Sequence, residues 1–265
     1  MLYLVATPIG NLQDLSMRAI AVLNLVDCIY VEDTRVSAKL CQHYNISTQV
    51  RVLQQHNERI IVDKIIENLT NNQKIALISD AGVPLISDPG HILVKQCIDN
   101  NIPITVIPGA CAVVTAVAGS GVAGQEFVFH GFLASKASKR QQQLAELKRY
   151  RQRLVFYEAP HRIVDCIADM ATILGNRQCC IARELTKLHE SWYRGTLAEL
   201  QQQLSDNQIP QKGEFTVVVA GNDNATVFDD KADYVYQVLR AELNTNKAAS
   251  LAAKISGKPK DYFIK

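Results

Sequence analysis

Over the first 110 residues, short apolar runs alternate with amphipathic stretches. Residues 2–6, 29–32, 49–53, 75–79 and 104–107 have the length and β-branched content of buried strands. Between them, residues 17–26, 39–44, 60–69 and 92–98 repeat apolar side chains at helical spacing. Strands that alternate with helices predict βαβ units and a mainly parallel sheet. After Gly119-Ser120-Gly121, with Gly124 close behind, the pattern resets. Strand candidates follow at 127–132, 154–157, 178–183 and 215–220, with a further one at 192–195, separated by helical patterns at 139–149, 161–174 and 197–204. Beyond Gly221-Asn222-Asp223 the pattern becomes two short helices, 234–243 and 247–255, and Ser256-Gly257-Lys258-Pro259 resembles the turn of a small helix-turn-helix unit. The expected fold class is therefore α/β. It divides into an N-terminal α/β domain over residues 1–119, a C-terminal α/β domain over 120–223 and a small helical extension over 224–265.

Composition fits this division. Of 265 residues, 48% are hydrophobic and 20% charged, ordinary values for a globular protein, and no apolar run has the length of a membrane span. The opening Met1-Leu2-Tyr3-Leu4-Val5 has no basic n-region, so neither a signal peptide nor membrane association is expected, and the expected location is cytoplasmic. Seven cysteines without a Cys-x-x-Cys pair point to reduced core thiols, and no metal site is expected. Net charge is +2, but unevenly spread: residues 1–120 carry eight Lys or Arg against ten Asp or Glu. The cationic excess gathers between Lys136 and Arg153, where Lys136, Lys139, Arg140, Lys148, Arg149, Arg151 and Arg153 face only Glu146. A run of this kind reads either as a solvated helix face or as an RNA footprint.

Candidate chemistry lies in the loops. Ser79 to Gly90 joins a buried strand to a helix through Gly82, Pro84 and two carboxylates, Asp80 and Asp88. Asp88 before Pro89 reads as a helix N-cap with the first helical residue, which leaves Asp80 for a ligand. Three other strand-to-helix junctions share this design: Ala6-Thr7-Pro8-Ile9-Gly10-Asn11, Ile107-Pro108-Gly109-Ala110-Cys111-Ala112 and Tyr157-Glu158-Ala159-Pro160-His161-Arg162. Ligands of α/β sheets sit where such loops gather, at strand carboxyl ends. The segment 110–118 holds almost only Ala, Cys, Val and Thr, so it suits close approach to a ligand or to a sheet. No Gly-x-x-x-x-Gly-Lys-Ser/Thr loop occurs, nor a Gly-x-Gly-x-x-Gly after the first strand, so a nucleotide phosphate has no recognisable cradle. Carboxylates instead suit a cation or ribose hydroxyls, both of which S-adenosylmethionine has.

An ordered set of motifs makes this specific. Val5 to Leu12, Glu32-Asp33-Thr34-Arg35, His56-Asn57-Glu58, Ser79 to Gly90, Ile107-Pro108-Gly109, Phe156-Tyr157-Glu158 with Pro160-His161-Arg162, Ala182 to Lys187 and Lys212-Gly213-Glu214-Phe215 together resemble the tetrapyrrole methylase superfamily. Within it, they are most similar to the branch that methylates small-subunit ribosomal RNA. The resemblance implies two α/β domains with S-adenosyl-L-methionine in the cleft between them, in a homodimer. The substrate it implies is a cytidine in the decoding region of 16S rRNA, within the 30S subunit, methylated on its ribose 2′-oxygen. Carried onto this chain, the cofactor would meet Pro8, Asp80, Ala81, Gly82, Val83, Cys111, Ala112, Tyr157 and Arg183. Where the family has serine after Pro-Gly-Ala, this chain has Cys111, a poorer hydrogen-bond donor.

Methyl transfer to a hydroxyl requires alignment and is helped by a base. Asp33, Glu58 and Glu158 are the acid candidates, with His56 as a further possibility. Each alternatively reads as a cap or an ion-pair partner. Arg35, His56, Arg162, Lys187, His189 and Arg194 are candidate RNA contacts. Two alternatives remain open at this point: a tetrapyrrole C-methyltransferase of precorrin or uroporphyrinogen type, and a non-catalytic RNA-binding module in ribosome assembly. The second leaves the four converging loops unexplained.

Overall fold

The computed structural model describes residues 1–54, 56–222 and 230–264. They separate into two compact units, one formed by residues 1–148 with 152–220 and the other by 149–151 with 221–265.

The first unit holds two five-stranded sheets. Strands β1 (Leu2–Val5), β2 (Cys28–Val31), β3 (Val50–Val52), β4 (Ile75–Ile78) and β5 (Ile104–Ile107) form the first, in the order β3-β2-β4-β1-β5. Every pairing in it is parallel. β4 and β2 are buried along their whole length, which is why they read as continuous apolar runs with no alternation. The connecting helices are α1 (Met17–Leu25), α2 (Thr34–His43), α3 (Glu58–Thr70) and α4 (His91–Asp99), and α5 (Ala112–Gly119) follows β5. Helix α2 begins five residues before its apolar periodicity does, because Asp33 caps it by accepting from the Arg35 amide.

The second sheet is mixed. It comprises β6 (Phe127–Phe132), β7 (Arg153–Glu158), β8 (Gln178–Arg183), β9 (Ser191–Thr196) and β10 (Phe215–Val219), in the order β6-β7-β10-β8-β9. Only β6 and β7 are parallel, and β10 runs antiparallel between β7 and β8. Helices α6 (Ala137–Leu147), α7 (Ile163–Leu174) and α8 (Leu197–Ser205) pack on one face through a core that includes Phe156, Ile167, Met170 and Val217. Helix α5 covers the other face. Its Val113 and Ala116 pack with Val155, Cys180, Ala182 and Val218, so the helix that follows the first sheet is buried against the second. The small side chains of residues 110–118 serve this contact.

Two loops of the first sheet are bound edge to edge. Thr7 and Gly82 exchange backbone hydrogen bonds of 2.8 and 3.1 Å, and the Thr7 hydroxyl donates to the Ser79 carbonyl. Gly10 then abuts the β8–β9 loop, where a Cβ would fall 2.4 Å from Lys187 Cγ and 2.9 Å from the Leu185 carbonyl oxygen. The Asn11 amide donates to Thr186 Oγ1 at the same place.

The start of α4 differs from its expected form. The helix begins at His91, with Gly90 as N-cap at φ 124°, and Asp88 takes no part in capping. The amides of Ile92 and Leu93 donate instead to Oε1 of the buried Glu58, at 2.9 and 3.2 Å. Glu58, a base candidate in the sequence, therefore caps a helix two elements away. The second unit consists of α9 (Asp230–Glu242), α10 (Thr245–Ser256) and a 3-10 turn at Lys260–Tyr262, packed around Ala232, Ala249, Ala252 and Phe263. Asn244 caps α10 by accepting from the Lys247 amide, and Gly257 ends it in the left-handed conformation.

Glu58→Ala leaves a buried and a half-buried amide donor unpaired and should lower unfolding free energy by about 1–3 kcal/mol. Glu58→Gln, which keeps an acceptor oxygen, should lose less. Urea denaturation of the two variants beside the parent checks the order.

Candidate active site

A cavity of about 430 Å³ opens between the two sheets of the first unit, within the size range of small-molecule sites. All four strand-to-helix junctions reach it. The β1 loop contributes Ile9, the β4 loop Asp80 to Val83 and Ile86 to Asp88, the β5 junction Cys111 and Ala112, and the β7 loop Tyr157 to Pro160. Glu32 enters from the end of β2 and Phe132 from the end of β6. A seventh segment, Gly213 to Thr216, comes from the start of β10. Sequence reasoning missed it for a topological reason. Because β10 is antiparallel, its first residue pairs with Glu158 and Arg183, and its beginning lies beside the carboxyl ends of β7 and β8. The Lys212-Gly213-Glu214-Phe215 motif was the available signal.

The β4 loop is held in a demanding conformation. Gly82 has φ 83°, Leu85 φ 71° and Ser87 φ 76°, and left-handed backbone at a leucine is rare enough that the surroundings must impose it. Gly90 shows how: a side chain there would overlap Leu77, so the loop is packed directly on β4. The outcome is that Ile86, Ser87 and Asp88 face the cavity.

The charge in this cavity has one sign. Glu32, Asp80, Asp88, Glu158 and Glu214 line it, and no lysine or arginine is among the described lining residues. Burial raises the Glu32 carboxyl above its ordinary value, helped by Asp80 and Asp33. Asp80 is also raised, chiefly by burial, although its Oδ1 accepts from the Asp33 amide at 3.0 Å. Asp88 is pushed up to about 6, by burial first and then by the charges of Glu32 and Asp80. Such a cluster is unfavourable until a cation or a hydrogen-bond donor enters it. Glu158 sits deepest of the five: its Oε1 accepts from the Ala159 amide and lies 3.3 Å from Arg162 Nε.

The other expected site residues lie elsewhere. Asp33 is a helix cap whose carboxylate also holds Arg35, and those hydrogen bonds bring it down to about 2, too weak a base for the proposed chemistry. Arg35 extends into solvent from that pair, and His56 is exposed outside the cavity. Pro8 is half-buried beside Ile9 but does not line the cavity. Arg183 donates to the carbonyls of Lys212 and His189, fastening the segment before β10 to the β8–β9 loop. Lys187 bridges Glu184 at 2.9 Å and Glu214 at 3.0 Å. Arg162 donates to the Leu133 carbonyl, while Arg194 donates to Gly119 and Ser120 and lies over the Trp192 ring. His189 is exposed outside the cavity, and its carbonyl receives Arg183. Each of these four arginine or lysine side chains is thus a structural clamp. The basic run is thinned in the same way: Arg140 is buried against Asp169, and Arg153 donates to the carbonyls of Val122 and Glu126.

The family profile described as Tetrapyrrole (Corrin/Porphyrin) Methylases matches residues 1–201. The chain belongs to that family. Among its relatives, a protein of Xylella fastidiosa named "Ribosomal RNA small subunit methyltransferase I" is 42% identical, across 98% of this chain and 96% of its own. Proteins of the same name from Vibrio cholerae and Bacillus subtilis are 42% and 43% identical, covering 100% and 91% of this chain and 93% and 81% of their own lengths. Solved tetrapyrrole methylases share the fold at lower identity. A cobalt precorrin-4 methyltransferase superposes with TM-score 0.61 at 14% identity, over 83% of this chain and 94% of its own. A Thermus thermophilus uroporphyrin-III C-methyltransferase, solved with S-adenosylhomocysteine, gives 0.58 at 15%, over 83% of this chain and 96% of its own. The family resemblance read from the motifs and the α/β class are both borne out. Among the described residues no metal-binding cluster occurs, and no helix is long and apolar enough to cross a membrane.

The raised Asp88 carboxyl has a consequence for stability. Its native form holds a proton more tightly than the unfolded chain does, so its ionisation opposes folding progressively from about pH 4 to about pH 6 and fully above that. Asp88→Asn should therefore raise the urea midpoint at pH 7.5, and the difference should vanish below about pH 4. Paired urea titrations across that range check the sign.

Proposed function

We propose that the protein is an S-adenosyl-L-methionine-dependent methyltransferase of small-subunit ribosomal RNA, acting on the ribose 2′-oxygen of a cytidine in the decoding region of 16S rRNA. The observation that carries the cofactor assignment is the all-acidic cavity. A phosphate-bearing cofactor would meet the carboxylates of Glu32, Asp80 and Asp88 there with no lysine or arginine among the described lining residues, whereas a group with a sulfonium, an ammonium and ribose hydroxyls is complementary to them. The RNA assignment rests on the names of near-full-length relatives. The same charge disfavours the tetrapyrrole alternative, because a macrocycle bearing carboxylates would be repelled. We place the working protein in the cytoplasm, as a homodimer acting on the 30S subunit, with two α/β domains divided near residue 119 and the helical extension beyond 223.

When bound, S-adenosylmethionine supplies an electrophilic methyl group on a positively charged sulfur. Asp80 and Glu32 would hold its cationic and hydroxyl groups, the backbone of Ala81 to Val83 and of Cys111-Ala112 would take its polar edges, and Tyr157 and Val83 would exclude water. The Cys111 backbone serves this purpose as well as that of a serine. Asp88 accepts the proton of the attacking 2′-hydroxyl. At about 6, its carboxyl is ionised at neutral pH and is still basic enough to help.

With labelled cofactor, 30S particles from cells lacking the protein should accept methyl groups, and particles already modified in wild-type cells should not. Methylated RNA should resist alkaline cleavage at one cytidine, since that cleavage needs a free 2′-hydroxyl. Absence of incorporation, beside a methyltransferase that works on the same particles, would reject the RNA assignment. Calorimetry of Asp80→Ala should show weaker cofactor binding, and unchanged affinity would remove Asp80 from the site. The pH–rate profile of the parent should fall below about pH 6, and Asp88→Asn should abolish that limb while lowering the plateau by about 100-fold or more.

A further inference from the structure

The cavity opening carries an aromatic surface that cofactor binding does not explain. Phe132 is the last residue of β6, and although its ring lines the cavity, the residue is 55% exposed. It does not stand alone. Its ring lies 5.6 Å from that of Tyr157, which in turn meets Phe129 edge-on at 4.8 Å, so two rings support it from behind. Across the opening stands Ile86, 41% exposed, fixed by the left-handed backbone of its neighbours Leu85 and Ser87. The two sides are close enough that a side-chain atom on Gly131 would touch Ser87 Oγ at 3.6 Å.

Local sequence makes this placement possible. A bulge between Phe129 and Gly131 shifts the β6 register by one residue, which turns Phe132 onto the cavity side of the sheet. Gly131, at φ 66°, accepts the bend. Lys136 and Lys139 follow four and seven residues after Phe132, both exposed and with no side-chain hydrogen bond or ion pair among the described residues.

We infer that the ring of Phe132 is the platform on which the base of the target nucleotide stacks, with Lys136 and Lys139 beside it for the RNA backbone. This inference rests on the RNA methyltransferase reading above. It also accounts for how a polyanion uses an all-acidic cavity. Phosphates stay outside with the lysines, the base is held at the rim, and only the ribose hydroxyl is presented inward. An exposed, rigidly backed ring flanked by cations is how single-stranded nucleic acid is held without a deep base pocket.

The test is steady-state methylation of unmodified 30S particles by the parent, Phe132→Ala, Phe132→Leu and Phe132→Tyr, with cofactor affinity measured by calorimetry for each. Phe132→Ala and Phe132→Leu should lose roughly five- to a hundred-fold in kcat/KM for RNA, the range a lost base–aromatic stack carries, while Phe132→Tyr retains activity. Cofactor affinity should stay within about twofold of the parent in all three. A leucine variant as active as the parent would overturn the inference, since apolar bulk would then suffice. So would a parallel loss of cofactor affinity, which would make Phe132 part of the cofactor pocket. If the parent methylates 30S particles and every Phe132 variant equals it, the stack falls and the function stands. If the parent itself transfers no methyl group, both fall. Lys136→Ala combined with Lys139→Ala should weaken RNA use with a shallower dependence on salt, and an unchanged salt slope would remove the lysines from the surface.

Discussion

Everything at the candidate site depends on how closely the two sheets of the first unit can approach. That approach is made by atoms that are missing. Gly10 lies against Leu185 to Lys187 with no room for a methyl group, and α5 meets the second sheet through valine and alanine side chains. Close-packed contacts of this kind have no slack, so a small enlargement at either point would displace one wall of the cavity relative to the other. Glu58 performs a similar service inside the first sheet's half, tying the first turn of α4 to α3 and so anchoring the far end of the β4 loop. The cavity is the space left over when these contacts are satisfied.

Within that space the chain concentrates acids and withholds bases. The cations that the sequence places nearby are mostly used elsewhere: Arg183 fastens the segment before β10, Lys187 joins Glu184 to Glu214, and Arg162 and Arg194 close loops through backbone carbonyls. Lys187 is the instructive case, since a residue conspicuous for its charge in sequence is consumed in fixing a cavity wall. Raised carboxyl groups at Glu32, Asp80 and Asp88 are what remains, and they represent free energy stored against folding and released on binding a complementary ligand.

Most of the element order was legible in the chain, because a buried parallel strand and an amphipathic helix have distinct periods. Residues 104–107, 127–132 and 178–183 coincide with β5, β6 and β8, and the strand expected at 192–195 lies within β9. The four loops were legible for a related reason, since glycine and proline at strand ends have few other uses. What could not be read was pairing. Nothing local to 213–216 says that β10 runs backwards between β7 and β8. Capping between distant elements was equally hidden: Asp88-Pro89 has the form of a helix start, yet Glu58 does that work and frees Asp88 for the cavity. A carboxylate's role follows from which amides reach it, and those amides lie 34 and 35 residues away along the chain.

The position of β10 has a further consequence, for the order in which the molecule comes into being. It is the last of the described strands to leave the ribosome, yet it occupies the centre of its sheet and supplies the final wall of the cavity. Until residue 219 has emerged, β7 and β8 have no common neighbour and their facing edges lie open. A nascent chain can complete the first sheet as it is made, because all five of its strands are in hand by residue 107. Ligand binding must wait for the other sheet to be joined through its middle, so an unfinished chain is inert by construction.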